Sequence, residues 1–84
     1  MISDQDYKRI YWHSRRGMLE LDLILVPFVE NHLRQLSETD QLHFVRLLEQ
    51  EDTDLFRWLM RADKPADPDL ASIVGRILDL TLVS

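Results

Sequence analysis

Apolar residues recur along this chain mostly at intervals of three and four, the spacing that lines one face of a helix. Asp4 or Asp6 can cap a first helix running to about Arg15, with Ile10, Tyr7 and Tyr11 turned inward. Gly17 then ends that helix or marks a tight corner. The next stretch, Leu19-Glu-Leu-Asp-Leu-Ile-Leu-Val, opens in strict alternation and so also reads as a strand. A helix is preferred, because no second convincing strand exists to pair with it and a lone strand is unstable. As a helix it lines up Leu21, Ile24, Leu25, Phe28 and Leu33, and Pro27 either kinks it or opens a new segment as its first residue.

Ser37-Glu-Thr-Asp is a helix start, with Ser37 as the cap and acids in the first turn. Leu42, Val45, Leu47 and Leu48 follow at helical spacing, with Phe44 beside them. Asp52 opens a short helix carrying Leu55, Phe56, Leu59 and Met60. Lys64-Pro-Ala-Asp-Pro reads as a linker, after which Asp67 caps a last helix and Pro68 takes its first position. Leu70, Ile73, Val74, Ile77 and Leu78 form its inner face, with Leu80 and Leu82 trailing toward the terminus. The pattern predicts an all-α fold: one domain over residues 1–84, five helices joined by short turns in a compact bundle. Phe28, Phe44, Phe56 and Trp58 are assigned to its packing.

Composition supports that picture and narrows the partners. A hydrophobic fraction of 45% and a charged fraction of 30% are those of a globular chain. With only two glycines and three prolines there are few breakers for a fold of many short strands. The chain has no cysteine, which excludes a disulfide scaffold, a thiolate metal site and a cysteine nucleophile. The net charge is −5, and the whole excess lies in residues 35–84, which hold ten acids against five bases. Nucleic-acid binding draws most of its affinity from neutralising phosphate, so this balance argues against a nucleic-acid partner and against an anionic membrane surface. The longest apolar run, Leu23 to Val29, is broken by Pro27 and falls well short of the ~20 residues of a membrane span. The acidic N-terminal stretch is no secretory signal, and a cytoplasmic monomer is expected.

No catalytic constellation stands out. His13, His32 and His43 fall into neither a His-x-x-x-His nor a Glu-x-x-His pair, so no metal site is expected. The acidic run Glu49-Gln-Glu-Asp-Thr-Asp lacks the glycine and spacing of a calcium loop. Neither a nucleophile elbow nor a glycine-rich phosphate cradle is present. The chain therefore reads as a protein-binding module with no active site of its own.

One segment gathers several groups with binding chemistry: Trp12-His-Ser-Arg15-Arg16-Gly17-Met18-Leu19-Glu20. The plain explanation takes them one by one, with Gly17 as terminator, the arginines at the carbonyl end of the first helix and Trp12 in the core. The joint explanation treats them as a surface. If the helix continued through Gly17, Arg16 and Glu20 would stand one turn apart with a side-chain-free spot between them, where a partner's backbone could come close. Arginine and tryptophan also concentrate binding energy in interfaces.

Arg16-Gly17-x-x-Glu20, preceded by Trp12 and Arg15 and followed by Asp22 and Pro27-Phe28, resembles the signature of the small FAD assembly factors of succinate dehydrogenase. The likeness continues in Phe44-Val-Arg-Leu-Leu-Glu49, in Asp52-x-Asp54-Leu55-Phe56-x-Trp58-Leu59 and in Pro65-x-Asp67-x-x-Leu70. It implies a helical factor that assists covalent attachment of FAD to the flavoprotein subunit of succinate dehydrogenase, with the fumarate reductase flavoprotein as a second client. The flavin bond would form to a histidine of the client, and the factor itself would hold no cofactor stably. Arg16, Gly17 and Glu20 match the family's motif, and Arg15, His13 and Asp22 are expected beside them on the partner-binding surface. A different class stays open on the residues alone. An antitoxin-like or regulatory module would use the acids of the second half, Glu49, Glu51 and Asp54, in place of Arg16 and Glu20.

Overall fold

A computed structural model describes residues 2–81. Five α-helices follow one another: α1 (Asp4–Ser14), α2 (Leu19–His32), α3 (Glu38–Leu48), α4 (Asp52–Leu59) and α5 (Pro68–Thr81). A single 3-10 turn, Leu33–Gln35, carries α2 toward α3, and no strand occurs among the described residues. The predicted all-α bundle is thus the fold. The stretch from Leu19 is helical throughout, and Pro27 lies inside α2, so it does not begin a new segment.

The helix starts follow from their caps. Ser37 accepts the Asp40 amide at 3.1 Å, as expected of its position. Asp67 accepts the Asp69 amide at 2.8 Å ahead of Pro68. At α1 the cap is Ser3, whose hydroxyl accepts the Asp6 amide at 3.0 Å; Asp4 and Asp6 sit in the first turn, where they meet the positive end of the helix.

α2 is the hub. Leu21, Ile24, Leu25, Phe28 and Val29 are all buried on it, and it packs against α1, α4 and α5. Leu33, on the 3-10 turn, extends the same face inward. Phe28 meets Phe44 of α3 with ring centroids 5.2 Å apart. Leu55, Trp58 and Leu59 of α4 and Leu70, Ile73, Val74 and Ile77 of α5 complete one contiguous cluster. Each such side chain contributes roughly 1.5–3 kcal/mol by leaving water.

Two apolar residues of the third and fourth helical stretches depart from the expected faces. Leu42 is exposed, because α3 turns Phe44, Leu47 and Leu48 inward and leaves Leu42 off that stripe. Met60, expected on the inner face of α4, is the residue just past its end and is exposed, while Trp58 takes the inner place. Leu80 is exposed in the last turn of α5, and Leu82 lies outside the described residues. Across the α3–α5 edge, Arg46 reaches Asp67 and Asp69, and Arg76 reaches Asp40 at 3.3 Å.

Candidate functional site

The segment between α1 and α2 is a tight connection, not a continued helix. α1 stops at Ser14, whose hydroxyl turns back to donate to the Tyr11 carbonyl at 2.6 Å. Arg15 is already extended, with φ −84° and ψ 105°. Gly17 follows at φ +83°, a left-handed conformation that glycine adopts at little cost. α2 then begins at Leu19, with the Met18 carbonyl accepting the Leu21 and Asp22 amides at 3.1 and 3.0 Å. Arg16 and Glu20 therefore do not share a helix face. The plain reading of Gly17 as terminator describes the backbone.

Arg16 is where the structure departs furthest from the surface picture. Its side chain is only 12% exposed. The guanidinium donates from Nε to Asp52 Oδ1 at 2.8 Å, from Nη1 to the carbonyls of Leu48 at 2.8 Å and His13 at 3.1 Å, and from Nη2 to the carbonyl of Gln50 at 2.9 Å. Two helices, α1 and α3, present their carbonyl ends here, and α4 contributes an acid of its first turn. Carbonyls in the last turn of a helix lack internal partners and carry the negative end of its dipole, so a buried cation fits this junction. The main chain of Arg16 is held as well, its amide donating to Asp22 Oδ1 at 2.8 Å.

The other expected residues lie on the outside. His13, Arg15, Gly17 and Glu20 are exposed, whereas Asp22 is half-buried at the base of the connection. A side chain added at Gly17 would meet nothing within 4 Å, so the spot is open to an approaching molecule. Glu20 lies in the first turn of α2, where its charge suits the helix dipole.

The structure leaves three large apolar residues exposed along these segments, of which Leu23 lies beyond the stretch singled out in the sequence. Trp12, assigned to the core in the plain reading, is 65% exposed at the end of α1. Its ring stands edge-on to Tyr11 at 5.5 Å, and the Arg15 guanidinium carbon lies 5.8 Å from its centroid. Helical arithmetic carries the signal for this placement: Tyr7, Ile10, Tyr11 and Ser14 form the inward row of α1, and Trp12 falls off it. Leu19 and Leu23, one turn apart on α2, are 69% and 66% exposed. Trp12, Leu19 and Leu23 are thus exposed on the two helices that flank Gly17, as are Arg15 and Glu20 beside it in sequence. His13 also borders an open groove between α1 and α3 walled by Ile10, Leu42, Val45 and Leu48.

Among the described residues no three His, Asp or Glu side chains converge where a metal ion could sit. No helix among them is long and apolar enough to cross a membrane.

Comparison with known proteins gives a consistent result. A sequence model of a family described as "Flavinator of succinate dehydrogenase" matches residues 8–81. A protein of Pseudomonas aeruginosa named "FAD assembly factor SdhE" is 52% identical over 79 residues, covering 94% of this chain and 94% of that protein. One of the same name from Shewanella oneidensis is 48% identical over 69 residues, 82% of this chain and 84% of its own length. The solution structure of a UPF0350 protein superimposes with a TM-score of 0.80 at 41% identity, covering 98% of this chain and 87% of the other.

Proposed function

This chain belongs to the family of flavinators of succinate dehydrogenase, whose named relatives are assembly factors and not enzymes, and from that premise we propose that it promotes covalent attachment of FAD to the succinate dehydrogenase flavoprotein subunit by binding that subunit. The observation that carries the reading is the open glycine at the α1–α2 connection, with Trp12, Arg15, Leu19, Glu20 and Leu23 exposed on the segments that flank it in sequence. Tryptophan and arginine are the groups that anchor protein interfaces, and a position without a side chain lets partner backbone approach. Arg15, Gly17, Glu20 and His13 supply the contacts, and Arg16 and Asp22 give the connection its shape.

The factor acts by preference. It binds one arrangement of the flavoprotein more tightly than the others and so raises its population. In that arrangement FAD is held against the histidine of the client to which it becomes bonded, and proximity converts a rare encounter into a productive one. The FAD belongs to the client, and the factor works as a monomer in the cytoplasm. The fumarate reductase flavoprotein is a second client.

In-gel flavin fluorescence of the flavoprotein, in cells with and without the gene, tests this. Deletion should remove most of the signal. Wild type should restore it, and Gly17→Arg should not, since a long side chain would then stand in the docking surface. Unchanged fluorescence on deletion would remove the assembly role; full restoration by Gly17→Arg would remove the surface.

A further inference from the structure

We infer that Asp52, at the start of α4, is a positioning residue for docking to the client: through Arg16 it fixes the conformation in which the α1–α2 connection presents Gly17 and Glu20. The inference rests on the proposed flavinylation role, but its structural half can be measured on the free protein.

Of the four acceptors around the Arg16 guanidinium, Asp52 is the one that carries a charge. The three carbonyls orient the fork, and the carboxylate compensates the cation that their junction encloses. A guanidinium that keeps only 12% of its side-chain surface in water needs such a partner. Four of its five N–H groups are thereby engaged within the chain, which leaves little to offer a client. The arginine that the motif places beside Gly17 thus faces inward, toward α3 and α4.

The consequence reaches the docking surface by one covalent step. Gly17 follows Arg16 directly, in a left-handed conformation whose added side chain would touch nothing within 4 Å. No packing of its own holds it. It is held through Arg16, whose guanidinium is tied to Asp52 and the helix-end carbonyls and whose amide donates to Asp22 at 2.8 Å. Release of the guanidinium would let residues 15–18 sample other turns, and only the fraction in the docking conformation would bind, so apparent affinity would fall by that fraction.

The test is Asp52→Ala, with Asp54→Ala as the control. Asp54 occupies the same first turn of α4 and pairs with Arg57 at 2.8 Å, so its loss perturbs the helix start without touching Arg16. Amide hydrogen exchange on the free protein should speed up roughly tenfold or more in Asp52→Ala at Arg16, whose amide is bonded to Asp22, and at Leu21 and Asp22, bonded to the Met18 carbonyl, with α5 as protected as in wild type. In reconstituted flavinylation of the succinate dehydrogenase flavoprotein with added FAD, the factor concentration giving half-maximal rate should rise by roughly the same factor, the maximal rate staying unchanged. Asp54→Ala should move neither reading. If Asp52→Ala loses its fold, Asp52→Asn, which keeps the shape and removes the charge, replaces it with the same expected directions.

Wild-type exchange at Arg16, Leu21 and Asp22 in the Asp52 variant would overturn the inference. So would equal loosening of α5, which would make Asp52 a general support of the fold. A lower maximal rate at unchanged half-saturation would also overturn it, since docking would then be intact. Should flavinylation prove independent of the wild-type factor, the functional reading fails, while the exchange measurement still decides whether Asp52 holds the connection.

Discussion

Two arginines in this protein do the same formal job with different surroundings. Arg16 ties the α1–α2 connection to the α3–α4 junction, and Arg46 ties α3 to the start of α5. Both engage carboxylates at short range, Arg46 reaching Asp67 at 2.6 Å and Asp69 at 3.0 Å. The Arg46 side chain is 45% exposed, against 12% for Arg16. Water competes for every contact of the first and for few of the second. The contrast teaches that short distances and paired charges do not rank interactions; what the solvent would offer in their place does.

The sharpest way to break that comparison is to remove each cation. Arg16→Ala should destabilise the protein by about 2–4 kcal/mol, because it removes a largely buried side chain and takes the donor from three main-chain carbonyls at once. Urea unfolding would measure it, and a loss no larger than that of Arg46→Ala would sink the distinction. Gly17→Ala comes next. A φ of +83° asks a β-carbon to adopt a left-handed backbone, so a cost of about 1 kcal/mol is expected despite the open space around it. Arg46→Ala should cost less than either, and that cost should shrink further in 1 M salt, where the screening length is ~3 Å. Salt should leave the Arg16→Ala penalty nearly intact.

The smallest effect concerns pH. The Asp69 amide first, and the Arg46 guanidinium after it, hold the Asp67 carboxyl below its ordinary value of 3.8. The hydrogen bond from Arg46 to Asp67 in turn raises the Arg46 guanidinium above its own ordinary range. A carboxyl depressed in the folded state contributes stability above its unfolded value and loses it as pH falls through the folded one. The stability gap between wild type and Asp67→Ala should therefore be constant near neutrality and narrow below about pH 4. A gap that widened on acidification would mean that the sign is wrong.

Much of this architecture is written locally. Ser37 and Asp67-Pro68 announce their helices within four residues, and the inner face of α2 follows from the spacing of Leu21, Ile24, Leu25 and Phe28. Leu42 and Trp12 were open to the same arithmetic, since each falls off its helix's inward row, but large apolar residues invite assignment to the core. The role of Arg16 was legible only in part: its place at the carbonyl end of α1 was expected and it does donate to the His13 carbonyl, but its links across the fold were hidden. Its partners Leu48, Gln50 and Asp52 lie 32 to 36 positions away, and two of those contacts are to main-chain carbonyls that any residue type would provide. Composition and periodicity do not encode such contacts. The motif's residues could be located by pattern; which way its arginine faced required the tertiary arrangement.

The two tryptophans sit in different environments: Trp58 is buried on the inner face of α4, at 9% exposure, and Trp12 is 65% exposed at the end of α1. The chain thus carries two intrinsic reporters with separate reach. A water-borne quencher such as iodide should extinguish the emission of Trp12 and spare that of Trp58 until the bundle unfolds. Coverage of the α1–α2 corner by another protein should protect the first without altering the second. Unfolding should bring both to the same spectrum. Burial and docking can be followed in one unlabelled sample because a single helix turn puts one indole outside the row that its neighbours keep.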